Sequence, residues 1–142
     1  MWSTEVAGEC RATPAEVFAI LSDPQKWSEW NEGVADIRID GPFAAGTTAI
    51  MVLPDGMELP IALAWVEDGR GFEDVTEVPG TGVTVRVKHD LQPIPTGTRI
   101  IYRCTAEGPD PVAGEVGANV TADFSEVIAA LGARAEQLHG RT

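Results

Sequence analysis

The period of the hydrophobic pattern changes several times along the chain, and each change marks an element. Residues 2 to 11 alternate: Thr4, Val6, Gly8 and Cys10 share one face, and Glu5, Ala7, Glu9 and Arg11 share the other. That is the pattern of a half-buried strand. Thr13-Pro14-Ala15-Glu16 has the form of a capping box with proline at the first helical position. Val17, Phe18, Ile20 and Leu21 give this short helix its apolar face. Ser22-Asp23-Pro24 ends it and starts another helical turn, which carries Trp27 and Trp30 on one side.

Six more strands are predicted. Residues 34 to 40 alternate with Ile37 and Ile39 inward, and Gly41-Pro42 breaks the pattern. Thr47 to Leu53 is joined to a strand from about Glu58 to Glu67 by the turn Pro54-Asp55-Gly56. In that strand Leu59, Ile61, Leu63 and Trp65 share one face by simple alternation. Phe72 to Val78 follows. The next strand has the clearest alternation, with Val83, Val85, Val87, His89 and Leu91 on one face. A loop with Pro93, Pro95 and Gly97 leads to Thr98 to Glu107, where Ile100, Tyr102 and Cys104 point inward and Ile101 breaks the pattern.

From about Ala118 to Leu138 the period becomes helical. Val120, Phe124, Val127, Ile128, Leu131, Ala135 and Leu138 fall in one stripe, about 100° wide on a helical wheel. Asp110-Pro111 reads as an N-cap with a first-turn proline, but Gly114 and Gly117 make residues 108 to 117 a loose or kinked lead-in. Arg134, His139 and Arg141 complement the C-terminal end of the dipole, and Gly140 is a left-handed stop. The expected fold is α+β: a curved seven-stranded antiparallel sheet, two short helices between strands one and two, and a long C-terminal helix on the concave side.

Composition narrows the function. A chain of 142 residues is read as a single domain over 1–142. Its net charge of −12 argues against nucleic acid and against anionic membrane surfaces. No apolar run is long enough to cross a membrane, and Met1-Trp2-Ser3-Thr4-Glu5 does not begin a signal peptide, so a cytoplasmic protein is expected. Cys10 and Cys104 read as two buried thiols in strands. With only His89 and His139 as histidines, no metal site is expected, and no phosphate loop or cofactor motif is present.

Several short motifs, in this order, resemble the START-like or SRPBCC superfamily, and within it the polyketide cyclase/dehydrase branch. They are Ala12-Thr13-Pro14-Ala15-Glu16-Val17-Phe18, Leu21-Ser22-Asp23-Pro24 with Trp27 and Trp30, Gly33-Val34, Gly41-Pro42-Phe43 with Gly46-Thr47, and Gly97-Thr98. The resemblance implies the helix-grip (Bet v 1-like) fold, with a cavity between sheet and helix that takes lipids, sterols, polyketides, hormones or quinones. It also implies that strands one and seven pair, which would make Cys10 and Cys104 neighbours. Some members cyclise or dehydrate a bound polyketide and others only bind. They share no catalytic positions, so none is carried over.

The partner expected is therefore a small hydrophobic molecule held by Trp65, Val85, Val87, His89, Tyr102, Val120, Phe124, Val127, Ile128 and Leu131. Large rings beside small side chains leave a lined pocket, or else the rings fill the core. His89 and Tyr102 are the candidates for catalysis, as proton donor or acceptor; each also reads as a satisfied core residue. Trp27 and Trp30 either cover the pocket mouth or pack the short helices. Of the adjacent Glu73 and Asp74 one points inward, and parity does not decide which. The chain is read as a monomer or a homodimer.

Overall fold

The computed structural model describes residues 1–139. The elements run β1 (Trp2–Cys10), α1 (Pro14–Leu21), a 3-10 turn (Pro24–Glu29), β2 (Asp36–Ile39), β3 (Thr48–Val52), β4 (Glu58–Glu67), β5 (Gly71–Val78), β6 (Val83–Ile94), β7 (Gly97–Glu107), α2 (Val112–Thr121) and α3 (Phe124–His139). The seven strands form one antiparallel sheet in the order β1-β7-β6-β5-β4-β3-β2. Consecutive strands pair through short turns, and β1 closes the sheet against β7, as expected.

Local chemistry accounts for the first helix. Thr13 Oγ1 accepts the Glu16 N–H at 3.2 Å, and the Glu16 carboxylate accepts the Thr13 N–H at 2.8 Å. Two donors at the helix start are thereby satisfied reciprocally. Thr98, fully buried in β7, donates its hydroxyl to the Ala12 carbonyl at 2.7 Å and ties this entry to the sheet.

The C-terminal helix differs from the reading over Ala118 to Leu138. Two helices meet at residues 122 and 123, so the stripe is split: Val120 lies on α2, and Phe124, Val127, Ile128, Leu131 and Ala135 are buried along α3. The cause is local. Thr121 Oγ1 donates back to the Gly117 carbonyl at 3.0 Å, a bond that bends helices. Asp123 then offers its carbonyl to the Val127 N–H at 2.9 Å and opens a new helix. Residues 112 to 117 are helical, not a loose lead-in, and Pro111 takes the N-cap position assigned to Asp110. Gly117 has a packing role there: a Cβ on it would lie 2.2 Å from the Trp2 ring. Gly140 and Arg141 lie outside the described residues.

Register corrects the expectation for the cysteines. β1 does pair with β7, but Cys10 faces Thr98 and Cys104 faces Thr4. Six positions along the strand separate the two sites, roughly 20 Å at strand rise. Both thiols are free and buried.

The helix α3 lies along β1 and β7 on the inward face. A Cβ at Gly8 would meet Ile128 at 2.8 Å, so the helix axis comes close to the sheet at that point. The 3-10 turn covers the far side of the sheet near β2. Between these two contacts the curved sheet leaves a gap.

Candidate functional site

The gap is a cavity of about 490 Å³, within the usual range for small-molecule sites. Its floor is built in rows across neighbouring strands. In the first row Phe72, His89 and Tyr102 are paired side by side on β5, β6 and β7. His89 stacks on Phe72 at 3.9 Å and meets the Tyr102 ring edge-on at 4.4 Å; Tyr102 in turn meets Phe124 of α3 at 5.3 Å. Trp27 continues the series on the other side, stacked on Phe72 at 5.8 Å. The rings thus form one wall that crosses from the 3-10 turn to α3. The next rows hold Asp74 and Val87, then Thr76 and Val85. These side chains are too short to reach the helix, and the space above them stays open.

The polar groups of the floor are of two kinds. His89 Nδ1 lies 3.2 Å from the Phe72 carbonyl. A carbonyl only accepts, so Nδ1 carries the proton and donates it. Burial pushes the His89 pKa down to about 3, which keeps the ring neutral and leaves Nε2 as a lone pair. Burial, with smaller contributions from the charges of Asp74 and Asp123, raises Tyr102 well above the ordinary phenol value. Its hydroxyl has no hydrogen-bond partner among the described residues.

Asp74 was left open by the sequence. Register places it opposite Leu63 on β4 and Val87 on β6, both buried, so it points into the cavity and Glu73 points out. Burial, assisted by the charge of Glu73, pushes its pKa up to about 7. The same carboxyl helps raise the buried Cys104 thiol to about 11, after burial itself. The exposed lining residues Pro54, Asp55, Asn119 and Asp123 mark the rim. There Gly33 has no room for a side chain, since a Cβ would meet Asp123 Oδ2 at 2.8 Å.

A family model described as "Polyketide cyclase / dehydrase and lipid transport" matches residues 1–136. The chain belongs to this family. Among solved structures, protein MLL2253 from Mesorhizobium loti is similar at 19% identity and TM-score 0.78, covering 99% of this chain and 98% of that one. A START superfamily protein from Mycobacterium smegmatis is similar at 15% identity and TM-score 0.74, covering 96% and 98%. The di-domain ARO/CYC StfQ from the steffimycin biosynthetic pathway is similar at 15% identity and TM-score 0.81; the match covers 97% of this chain but 51% of that one. No curated protein matches the sequence. These likenesses establish the helix-grip fold.

Within that family fold, Val85, Val87, His89, Tyr102, Val120, Phe124 and Val127 line the cavity. Ile128 and Leu131 do not; both are buried farther along α3, Ile128 against Gly8 of β1. Trp65 is a correction. The register shifts between Leu63 and Trp65, where a bulge takes up Ala64, so Trp65 pairs with Glu73 on the outer face. There the Lys88 ammonium sits 4.9 Å from its ring centre. Val66, not Trp65, shares the inward side with Phe72. Trp27 and Trp30 both line the cavity; Trp27 is buried and donates its Nε1–H to the Leu21 carbonyl at 3.0 Å, so it packs the short helices and forms a wall together. Among the described residues no group of three His, Cys, Asp or Glu side chains is placed to hold a metal ion. No helix among them is long and apolar enough to cross a membrane.

Proposed function

We propose that this protein binds a small, largely hydrophobic molecule, with aromatic, polyketide and lipid-like compounds as the candidate classes, in the cavity between the sheet and α3. The observation that carries the reading is the unfilled space over the short rows of Asp74, Val87, Thr76 and Val85, walled by rings. Apolar burial supplies the affinity, about 25 cal/mol per Å² removed from water. The ring row of Phe72, His89 and Tyr102 orients the ligand. Family membership supports the same class of ligand.

The test is a thermal-shift screen of neutral aromatic and lipid-like compounds, repeated with Phe124→Trp and Trp65→Ala. A ligand at a hundred times its Kd stabilises the fold by about 2.7 kcal/mol. Phe124→Trp fills the cavity and is expected to abolish the shift while remaining folded; Trp65→Ala, on the outer face, is expected to retain it. A shift that survives Phe124→Trp places the site elsewhere.

The second reading is a cyclase or dehydratase acting in the same cavity. His89 and Tyr102 do not favour it, because a base near 3 and a phenol raised above its ordinary value both exchange protons poorly at neutral pH. Asp74 favours it, since a carboxyl near 7 is poised to take and return a proton. Turnover of a polyketide that survives in His89→Ala/Tyr102→Phe but is lost in Asp74→Asn supports this reading.

A further inference from the structure

The cavity carries an imbalance of charge that hydrophobic binding alone leaves unused. Asp74 sits on an apolar floor with no hydrogen-bond or ion-pair partner among the described residues. Asp55 and Asp123 stand on the rim, and the lining contains no lysine or arginine. Cations on the neighbouring strands face away: Arg86 is exposed beside Val87, Lys88 packs on Trp65, and Arg103 is held by Glu5 at 2.8 Å and Asp90 at 2.9 Å on the outer surface. The chain as a whole carries −12. Asp74 is half-buried, and a carboxyl drawn partly out of water without a partner is costly, so such groups are normally paired. Here the missing partner fits in the space that the cavity leaves open. Tyr102 is only 3% exposed and directs an unpartnered hydroxyl into the same space.

We propose that the ligand is an apolar, aromatic molecule bearing a protonated amine, and that Asp74 is the residue that pairs with it. This rests on the cavity being the binding site. The amine neutralises Asp74 where no side chain does. Phe72 is stacked on both sides by His89 and Trp27, so the rings of Tyr102 and Phe124 are the ones that meet the cation and the aromatic body. An anionic ligand, such as a free fatty acid or a phosphate-bearing lipid, meets three carboxyls and no cation, since His89 is neutral. Charge complementarity of this kind discriminates between partners more than it adds raw affinity.

Three probes of one shape decide the matter: naphthylethylamine, naphthylethanol and naphthylacetate, titrated calorimetrically at low ionic strength and mildly alkaline pH. Neutral Nile red reports independently on the cavity. The amine is expected to bind roughly tenfold or more tighter than the alcohol, with the acid weakest. In Asp74→Asn, and in Asp74→Leu as a second variant of the same charge, amine and alcohol are expected to bind alike. The proposal is overturned if amine and alcohol bind equally to the native protein, if the acid matches the amine, or if the preference survives both variants. In each of those cases Nile red binding still upholds the cavity. If neither Nile red nor any of the three probes binds, the cavity reading falls as well.

Discussion

Replacing Asp74 with asparagine changes the pH dependence of stability in a way that the buried groups specify. In the folded protein Asp74 is raised from an ordinary 3.8 to about 7. Below 3.8 it is protonated in both folded and unfolded chains and has no effect. As pH rises towards 7 the unfolded chain gains the ionised form and the folded chain does not, so stability is lost. Each tenfold change in proton affinity is worth about 1.4 kcal/mol. The full loss is on the order of 4 kcal/mol as an upper bound, and about 2–4 kcal/mol after allowing for the carboxyl's access to the cavity. His89 acts in the opposite sense. It falls from 6.5 to about 3 on folding, so its contribution is present above 6.5 and is lost as pH falls towards 3. Between about pH 4 and 6.5 the two effects cancel, one proton released against one retained. These two groups together therefore add no net slope to the native protein in that window. Asp74→Asn removes one arm, and its stability is expected to climb towards pH 6.5 at up to about 1.4 kcal/mol per pH unit. The two proteins meet near pH 4, and at pH 8 the variant is ahead by about 2–4 kcal/mol. Urea unfolding at each pH measures this directly. The remaining acids act alike in both proteins and drop out of the difference. Parallel curves for the two proteins would refute the burial assigned to Asp74.

Other substitutions test other parts of the structure. Gly117→Ala raises helix propensity and by that alone would gain about 1 kcal/mol; the Trp2 ring in its way is expected to turn this into a loss of about 1–3 kcal/mol by urea denaturation. Trp65→Ala is expected to change ligand affinity less than twofold, since the ring lies on the outer face, and a larger change measured by calorimetry would put it back on the cavity wall. Thr13→Ala removes one half of the capping box and is expected to cost about 1 kcal/mol in the same unfolding assay. Cys10 and Cys104 are expected to stay reduced together, so non-reducing mass spectrometry after mild oxidation shows no internal disulfide.

The sequence made most of the sheet legible because alternation and turn chemistry agree on it. Val83 to Leu91 could be read strand face by strand face, and the five hairpin connections from β2 to β7 follow from Gly, Pro and Asp at the turns. What failed were features that depend on one extra residue or one side-chain bond. The β4 bulge is a single residue, Ala64, and it reverses the face of every residue that follows. Trp65 looked inward for that reason alone. The break before α3 arises from a threonine hydroxyl and an aspartate carbonyl inside a stripe whose apolar period is continuous. Periodicity measures which faces are buried, and both halves bury theirs, so the pattern carried no sign of the break.

Asp74 was hidden for a different reason. On β5 one face reads Phe72, Asp74, Thr76 and Val78, and the other Glu73, Val75 and Glu77, so each face mixes apolar and polar residues. A strand that lines a cavity need not show the clean alternation of a strand that packs a solid core, because its inward residues meet space and a ligand instead of side chains. The blurred pattern on β5, set between the clear patterns of β4 and β6, was itself the signal. His89 and Tyr102 were read as inward from the alternation of their strands, but Phe72 and Asp74 beside them were not, because an inward carboxylate violates the rule by which inward faces are found. In a fold whose cavity is fixed by backbone curvature, the violation marks where a strand lines open space and not the packed core.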